Sequence, residues 1–288
     1  DELEAPAGRD PLELPRRNRS GPGETTPRGL KVSSGGLERC LTGTAERRGW
    51  SDKRGKGKAK RRGVGMASLF HVGGAARIYR SDGSGIILKV DDFGNVNVYY
   101  GGVEMGQGLH SVLALAVAEA LGVLPEQVHV NETDTATCPW DVGTHASRGA
   151  FMACNAAIRA CDKARAQIFE AAVTLYPGVV GKALKKHLKK NPDYTVPEGF
   201  EVAAAVTGPD AFELKDSVLF LKDGPDESWL RVPLDGLLRA MHYREQGNML
   251  TVEAFYDPPN ELPNWGKGKG NMSATYVYGT QGAEVEVD

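Results

Sequence analysis

Gly101-Gly102-Val103-Glu104-Met105-Gly106-Gln107-Gly108-Leu109-His110 decides how the chain is organised, because it joins a strand pattern to a helix pattern. Before it, residues 85–90 and Val96–Tyr100 read as two strands around the turn Asp92-Phe93-Gly94-Asn95. After it, residues 106–121 read as a helix closed by Gly122, with Pro125 three residues later as a stop signal. Leu109, Val112, Leu113, Leu115, Val117 and Leu121 make this helix apolar nearly all round, which predicts burial on most sides. A buried helix start carries unpaired, partly positive amides and needs an acceptor. Glycines at 106 and 108 remove the side chains that would hold a ligand away. Gln107 can donate and accept hydrogen bonds to a flat polar heterocycle. The pattern suits an anion or a nucleotide-like ligand, and a tight turn that caps itself explains the same glycines. It is neither a Walker loop nor a full G-x-G-x-x-G, since no Gly-Lys-Ser/Thr follows and position 111 is Ser.

A second glycine-bearing segment follows one short predicted strand, 128–132. It runs Thr133-Asp134-Thr135-Ala136-Thr137-Cys138-Pro139-Trp140-Asp141-Val142-Gly143-Thr144-His145-Ala146-Ser147-Arg148-Gly149 and precedes an Ala-rich helix expected over residues 147–175. Ser147 suits its N-cap, and Arg148 could meet a phosphate through two parallel hydrogen bonds. A routine cap and a surface arginine are the plainer readings. Two such helix starts so close together make a shared ligand more credible.

Outward from this centre, further helices are expected over 10–18, shortened or kinked by Pro15, and over 35–49, 182–190 and 234–243. Further strands are expected at 64–72, 212–221, 229–232 and 249–256, with a final pair at 274–278 and 283–287. This mixture lacks a strict βαβ rhythm, so the expected class is α+β with mixed sheets and packed helices. With 288 residues and 25% charged residues the composition is that of a globular protein, and the net charge of −2 gives no overall nucleic-acid or membrane signature. No apolar run is long enough to span a bilayer, and neither a basic leader nor an apolar signal core opens the sequence. The basic run of residues 47–62 lacks aromatic interleaving and reads as a solvated linker. Cys40, Cys138, Cys154 and Cys161 include no C-x-x-C pair and are read as buried free thiols, which predicts a reducing, cytoplasmic compartment. Residues 283–288 alternate like a half-buried strand and stop without a turn, which predicts a piece of a longer chain.

Gly102-x-Glu104-Met105-Gly106-Gln107-Gly108-Leu109-His110 resembles the signature of molybdenum hydroxylase large subunits. That family includes xanthine dehydrogenase, aldehyde oxidase, aerobic carbon monoxide dehydrogenase and 4-hydroxybenzoyl-CoA reductase. Thr133-Asp134-Thr135 followed by Asp141-x-Gly143-Thr144-His145-Ala146-Ser147-Arg148 is similar to the family's next cofactor segment, in the same order. Collinear matches bracket the chain: Asp1-Glu2-Leu3 with Asp10-Pro11-Leu12-Glu13-Leu14 near its start, and Tyr256-Asp257-Pro258-Pro259, Ser273-Ala274-Thr275-Tyr276 and residues 283–288 near its end.

The resemblance implies a molybdopterin cofactor, often as its cytosine dinucleotide, with molybdenum held by the pterin dithiolene and no protein metal ligand. It implies that Gly106, Gln107, Gly108 and Leu109 line the pterin, and that Thr144, His145, Ala146, Ser147 and Arg148 line the pterin or its phosphates. Residues 1–62 would be the helical tail of a preceding subdomain plus the basic linker, and residues 63–288 the cofactor-binding domain, incomplete at its C-terminus. The implied reaction hydroxylates, or reductively dehydroxylates, an electron-poor carbon of an aldehyde, N-heterocycle or aromatic thioester with water-derived oxygen. Electrons would leave through iron–sulfur and FAD partner subunits or domains, and the rest of the large subunit is itself an expected partner. No nucleic acid or membrane partner is expected.

The family's Gly-Gly-Gln segment and substrate loop would precede Asp1, and its base glutamate would follow Asp288. None of Glu253, Glu261, Glu284 or Glu286 inherits that base role, so the chain alone is expected to be inactive. Two other classes compete with the enzyme reading: a non-catalytic remnant or split-subunit binding domain, and a nucleic-acid binder using residues 47–62.

Overall fold

The computed structural model describes residues 8, 10–55, 61–74, 81–244, 247 and 249–288. The Asp1-Glu2-Leu3 match and Lys56, Lys58 and Lys60 of the basic run lie outside the described residues. The helices are α1 (Glu13–Asn18), α2 (Leu37–Arg48), α3 (Trp50–Lys53), α4 (Leu109–Leu121), α5 (Gly149–Lys190), α6 (Val202–Ala205) and α7 (Leu234–Arg244). The strands are β1 (Arg62–Gly73), β2 (Ser84–Val90), β3 (Val96–Tyr100), β4 (Val128–Val130), β5 (Phe212–Lys215), β6 (Val218–Leu221), β7 (Val232–Pro233), β8 (Leu250–Tyr256) and β9 (Thr275–Glu286). Helices and strands are mixed and the sheets are separate, as the expected α+β class requires. The chain divides into two compact units, one of residues 1–82, 145–148 and 258–288, the other of residues 83–144 and 149–257.

In the first unit β1 and β9 form an antiparallel ribbon in continuous register from Arg62↔Glu286 to Gly73↔Thr275. The expected pair of final strands is one strand of 12 residues, carried through Gly279 and Gly282 by pairing along its whole length. Gly282 is needed there, since a Cβ would lie 3.0 Å from side-chain atoms of Thr44 and Arg48 on α2. The predicted half-burial of its last residues is wrong: Val285 is 57% exposed. Asp10 accepts from the Leu12 amide at 2.7 Å and from the Trp50 indole, tying α1 to α3. Pro15 falls in the first turn of α1, where a missing N–H breaks no helical bond, and the helix is only six residues long. Part of the basic run is neutralised by β9: Lys53 pairs with Glu284 at 2.5 Å and Arg62 with Glu286 at 2.6 Å.

The second unit is built on a four-stranded sheet of order β4-β3-β2-β8, antiparallel except for β3 with β4. Alternate residues, Ile86, Leu88, Val90, Val96, Val98, Tyr100 and Val252, are buried in one core with α4 and α5. From α4 only Leu109, Leu113, Val117, Ala118 and Leu121 are buried. Val112 and Leu115 are 45% and 58% exposed, so the prediction of burial on most sides fails because sheet and α5 cover one stripe.

The two helices expected at 147–175 and 182–190 are one helix, α5, about 63 Å long at the standard rise. It passes Pro177 although proline removes an internal hydrogen bond at a cost of roughly 3 kcal/mol. Burial of Tyr176 and Val180 on either side, and the Tyr176 hydroxyl bond to the Leu230 carbonyl at 2.5 Å, hold the two halves in line. Alanines at 153, 156, 157, 160, 164 and 172 form its buried stripe and let the backbone approach the sheet. At the sheet's open edge Arg159 and Lys163, one helical turn apart, donate to the carbonyls of Phe255 and Glu253 at 2.9 and 2.7 Å. The expected strand 212–221 is the hairpin β5–β6, turned by left-handed Asp216 and Ser217, and of 229–232 the first two residues lie in a 3-10 turn while Val232 opens β7.

Candidate glycine-loop functional site

Within the second unit the two glycine-bearing segments touch. Thr144 accepts from the Val103 amide at 2.9 Å, and Thr133 donates to the Gly102 carbonyl at 2.6 Å. A Cβ on Gly101 would lie 2.7 Å from Asp141 Cβ and 3.0 Å from the Pro139 carbonyl oxygen, so glycine lets the segments meet. Asp141 also bonds the Ser84 hydroxyl and accepts from the Gly143 amide at 2.7 Å.

The loop ahead of α4 is held from inside. Glu104 accepts from the amides of Gly106 at 2.7 Å, Gly108 at 3.0 Å and His110 at 3.1 Å. Gln107 accepts from the Met105 amide at 2.6 Å and donates to the Val103 carbonyl at 2.8 Å. The acceptor needed at the helix start is therefore the chain's own carboxylate, a role for Glu104 that sequence reasoning missed. An acid shortly before an apolar helix was the available signal. Gly106 and Gly108 have φ of +98° and +80°, and a Cβ on either meets nothing within 4 Å. Open space thus lies over two backbone positions that favour glycine. Leu109 is buried in the core, while Gln107 is exposed and keeps one N–H and one lone pair to offer.

The hydrogen bonds from His110, then Gly108 and Gly106, hold the Glu104 carboxyl down to about 2 from its ordinary 4.5. A depressed carboxylate stabilises the folded loop fully above the unfolded value and loses that contribution as pH falls from about 4.5 towards 2. NMR of the carboxyl carbon is expected to show Glu104 titrating near the lower value, with the Gly108 and His110 amides shifting in step. A midpoint in the ordinary range between 4 and 5 would contradict the capped loop.

His145, Ala146, Ser147 and Arg148 belong to the first unit. The Ala146 carbonyl accepts from the Gly74 amide at 2.9 Å. Ala146 and Ser147 are consecutive non-glycine residues with φ of +47° and +53°, a combination that collects at functional turns. Because α5 starts at Gly149 and Ser147 is left-handed, Ser147 is not the expected N-cap; its exposed hydroxyl makes no hydrogen bond among the described residues. Arg148 is fully buried, donates to the Asp82 carbonyl oxygen at 2.6 Å and pairs with the Asp82 carboxylate at 3.3 Å. Asn260 donates to the same carboxylate at 3.2 Å. The plainer reading of Arg148 as a surface residue is thereby excluded. Of the four cysteines only Cys161 is buried, with its thiol pushed up to about 12 by that burial.

A family model described as molybdopterin cofactor-binding domain matches residues 39–288. The xanthine dehydrogenase molybdenum-binding subunit of Escherichia coli O157:H7 is 32% identical over 193 residues, covering 65% of this chain and 26% of the relative. Aldehyde oxidase 2 of Macaca fascicularis is 25% identical over 230 residues, covering 80% of this chain and 13% of the relative. The fold is similar to that of quinoline 2-oxidoreductase from Pseudomonas putida 86, with a TM-score of 0.71, 18% identity and coverage of 100% of this chain and 34% of that one. The chain thus spans about a quarter or less of the length of these curated relatives. It belongs to the molybdopterin cofactor-binding domain family, among the molybdenum hydroxylases of the xanthine dehydrogenase and aldehyde oxidase type.

Proposed function

We propose that this chain supplies part of the molybdopterin cradle of an oxidoreductase. That enzyme hydroxylates, or reductively dehydroxylates, an electron-poor carbon of an aldehyde, N-heterocycle or aromatic thioester. The observation that carries the reading is the loop before α4: two left-handed glycines with open space above them, on a frame fixed by Glu104 and Gln107. When bound, the molybdenum cofactor would supply the redox chemistry, with water as the oxygen source.

This chain's own residues would bind and orient. Gly106 and Gly108 admit a flat ring system against the backbone, and Gln107 offers its remaining donor and acceptor to polar ring edges. Because Glu104 already holds the Gly108 and His110 amides, the helix start does not serve as a bare anion site. Thr144 holds the loop through the Val103 amide. The 145–148 turn is a second proposed cofactor segment, in which Ser147 offers a free hydroxyl beside His145 and Ala146. Arg148 fixes the turn through Asp82, since a direct phosphate contact would require that buried pair to open. A cytosine dinucleotide form, iron–sulfur and FAD partner subunits, a cytoplasmic location and dependence on the remaining large-subunit sequence belong to the same proposal.

The test uses the complete subunit or complex containing this chain. Gly108→Val is expected to lower molybdenum per folded protein at least roughly tenfold, because bulk enters the open space over the loop. Gly94→Val is the matched control: its φ is +88°, its nearest neighbour is the Gln127 side-chain amide at 3.1 Å, and it lies in the Asp91–Asn95 turn. Gln107→Ala adds no bulk and should reduce retention less. Full molybdenum in folded Gly108→Val and Gln107→Ala would make the segment an ordinary helix start.

A further inference from the structure

Asn260, which directly follows the Tyr256-Asp257-Pro258-Pro259 stretch, lies in the first unit and is only 6% exposed. Its side-chain nitrogen stands 3.2 Å from Asp82 Oδ2 and 3.2 Å from the Met272 carbonyl oxygen, so each of its two hydrogens has an acceptor. A primary amide brings two donors on one uncharged atom, whereas serine brings one, ionised aspartate none, and lysine adds a charge. Asp82 in turn faces Arg148: Oδ1 lies 3.3 Å from its Nε, and the Asp82 carbonyl accepts from the same guanidinium at 2.6 Å. Asn260 therefore stands behind Asp82 as Asp82 stands behind Arg148. Its own footing is fixed, since its amide donates to the Pro258 carbonyl at 2.8 Å and the Glu261 amide to the Asn271 carbonyl at 2.8 Å. The 145–148 turn is also held by the Gly74 amide on the Ala146 carbonyl at 2.9 Å. Two consecutive left-handed non-glycine residues, here Ala146 and Ser147, persist only where their surroundings over-determine them.

We propose that Asn260 is a positioning residue for the cofactor. By tying the Asp82 carboxylate to the Met272 carbonyl, it fixes Arg148 and so keeps Ala146 and Ser147 in the left-handed geometry in which the turn meets the molybdopterin. This rests on the reading of residues 145–148 as a cofactor segment. Without the amide, the Asp82 carboxylate turns about its terminal bond, a soft torsion, and the guanidinium follows it. The turn then relaxes towards ordinary backbone angles, and the cofactor loses a surface formed in advance.

The experiment has two readouts. In the 288-residue chain, hydrogen exchange of the Gly74 amide reports its bond to the turn. Asn260→Ala is expected to speed that exchange roughly tenfold while the amides of the β1–β9 ribbon keep their rates. Thr44→Val is the matched control: it removes, without change of shape, a hydroxyl bonded to the Thr280 carbonyl at 3.2 Å in the same unit, and should leave the Gly74 rate unchanged. In the complete subunit or complex, Asn260→Ala is expected to speed molybdenum loss on dialysis roughly tenfold, the scale of substitutions just behind a metal site, and Thr44→Val to leave it unchanged. Asn260→Ser, which keeps one donor, carries both measurements should the alanine variant not fold. An unchanged Gly74 rate in a folded Asn260 variant would overturn the proposal and leave the glycine-loop cradle untouched. Equal acceleration along the whole ribbon would also overturn it, by making Asn260 a general support of the unit. Faster Gly74 exchange with unchanged molybdenum loss would remove the 145–148 turn from the cofactor site, and the proposal with it, whereas Gly108→Val tests the cradle separately.

Discussion

Arg148→Ala is expected to destabilise the first unit by about 3–5 kcal/mol, because it removes the guanidinium that pairs with the buried Asp82 carboxylate. The Arg148 side chain is fully buried and the Asp82 side chain is 2% exposed, so the pair is little screened by bulk solvent. Asn260 donates to the same carboxylate at 3.2 Å, but a neutral amide does not replace the charge of a guanidinium. Arg231→Ala is the comparison, since its pair with Asp226 is 49% and 85% exposed and should be worth no more than about 1 kcal/mol. Denaturant midpoints of both variants, with separate probes on the two units, measure the difference. Adding Asp82→Leu to Arg148→Met should recover much of the loss, because the buried charge disappears with the arginine that paired with it. A loss below about 1 kcal/mol in Arg148→Ala would show that the pair is not buried in solution.

Gly122→Ala is expected to cost more than about 3 kcal/mol and to unfold the end of α4 where it meets the small β5-β6-β7 sheet. Gly122 ends α4 with φ of +87°, and its amide bonds the Ala118 carbonyl at 2.9 Å. A Cβ there would lie 2.1 Å from the Leu214 carbonyl oxygen and 2.9 Å from its carbon, so backbone rather than a side-chain end would have to move. Gly94→Ala shares the left-handed conformation but meets a side-chain end, the Gln127 amide at 3.1 Å, rather than backbone, and should lose little beyond the conformational cost of roughly 1–2 kcal/mol. Thermal unfolding of the two variants separates the clash from the backbone preference. Equal losses would place Gly122 among ordinary helix-ending glycines.

Features decided by neighbouring residues were legible in the sequence. The Asp91 to Asn95 turn is closed by the Asp91 carboxylate on two following amides, and Gly122 stops α4 where a left-handed residue was expected. The contact between Gly122 and Leu214 was not legible, since it depends on a hairpin about ninety residues further on. Pro177 and the glycines of β9 read as breaks, yet both elements continue because packing and pairing outweigh local preference. At the site, the glycines and Gln107 were visible as a motif, and their self-contained bonding through Glu104 was not. Arg148 looked free to meet an anion because its partner Asp82 lies 66 positions earlier and no local pattern announces it.

Arg159 and Lys163 have a consequence for colloidal behaviour. An outer strand exposes a row of backbone acceptors on which a second molecule can lay its own strand, and repetition of that step builds fibres. On β8 two successive outward carbonyls, those of Glu253 and Phe255, are already occupied by cations rooted in α5. An incoming strand would have to strip both away and would then meet two positive charges over its own donors. The helix that carries the hydrophobic core thus also keeps the β8 edge of its sheet from serving as a template for polymerisation.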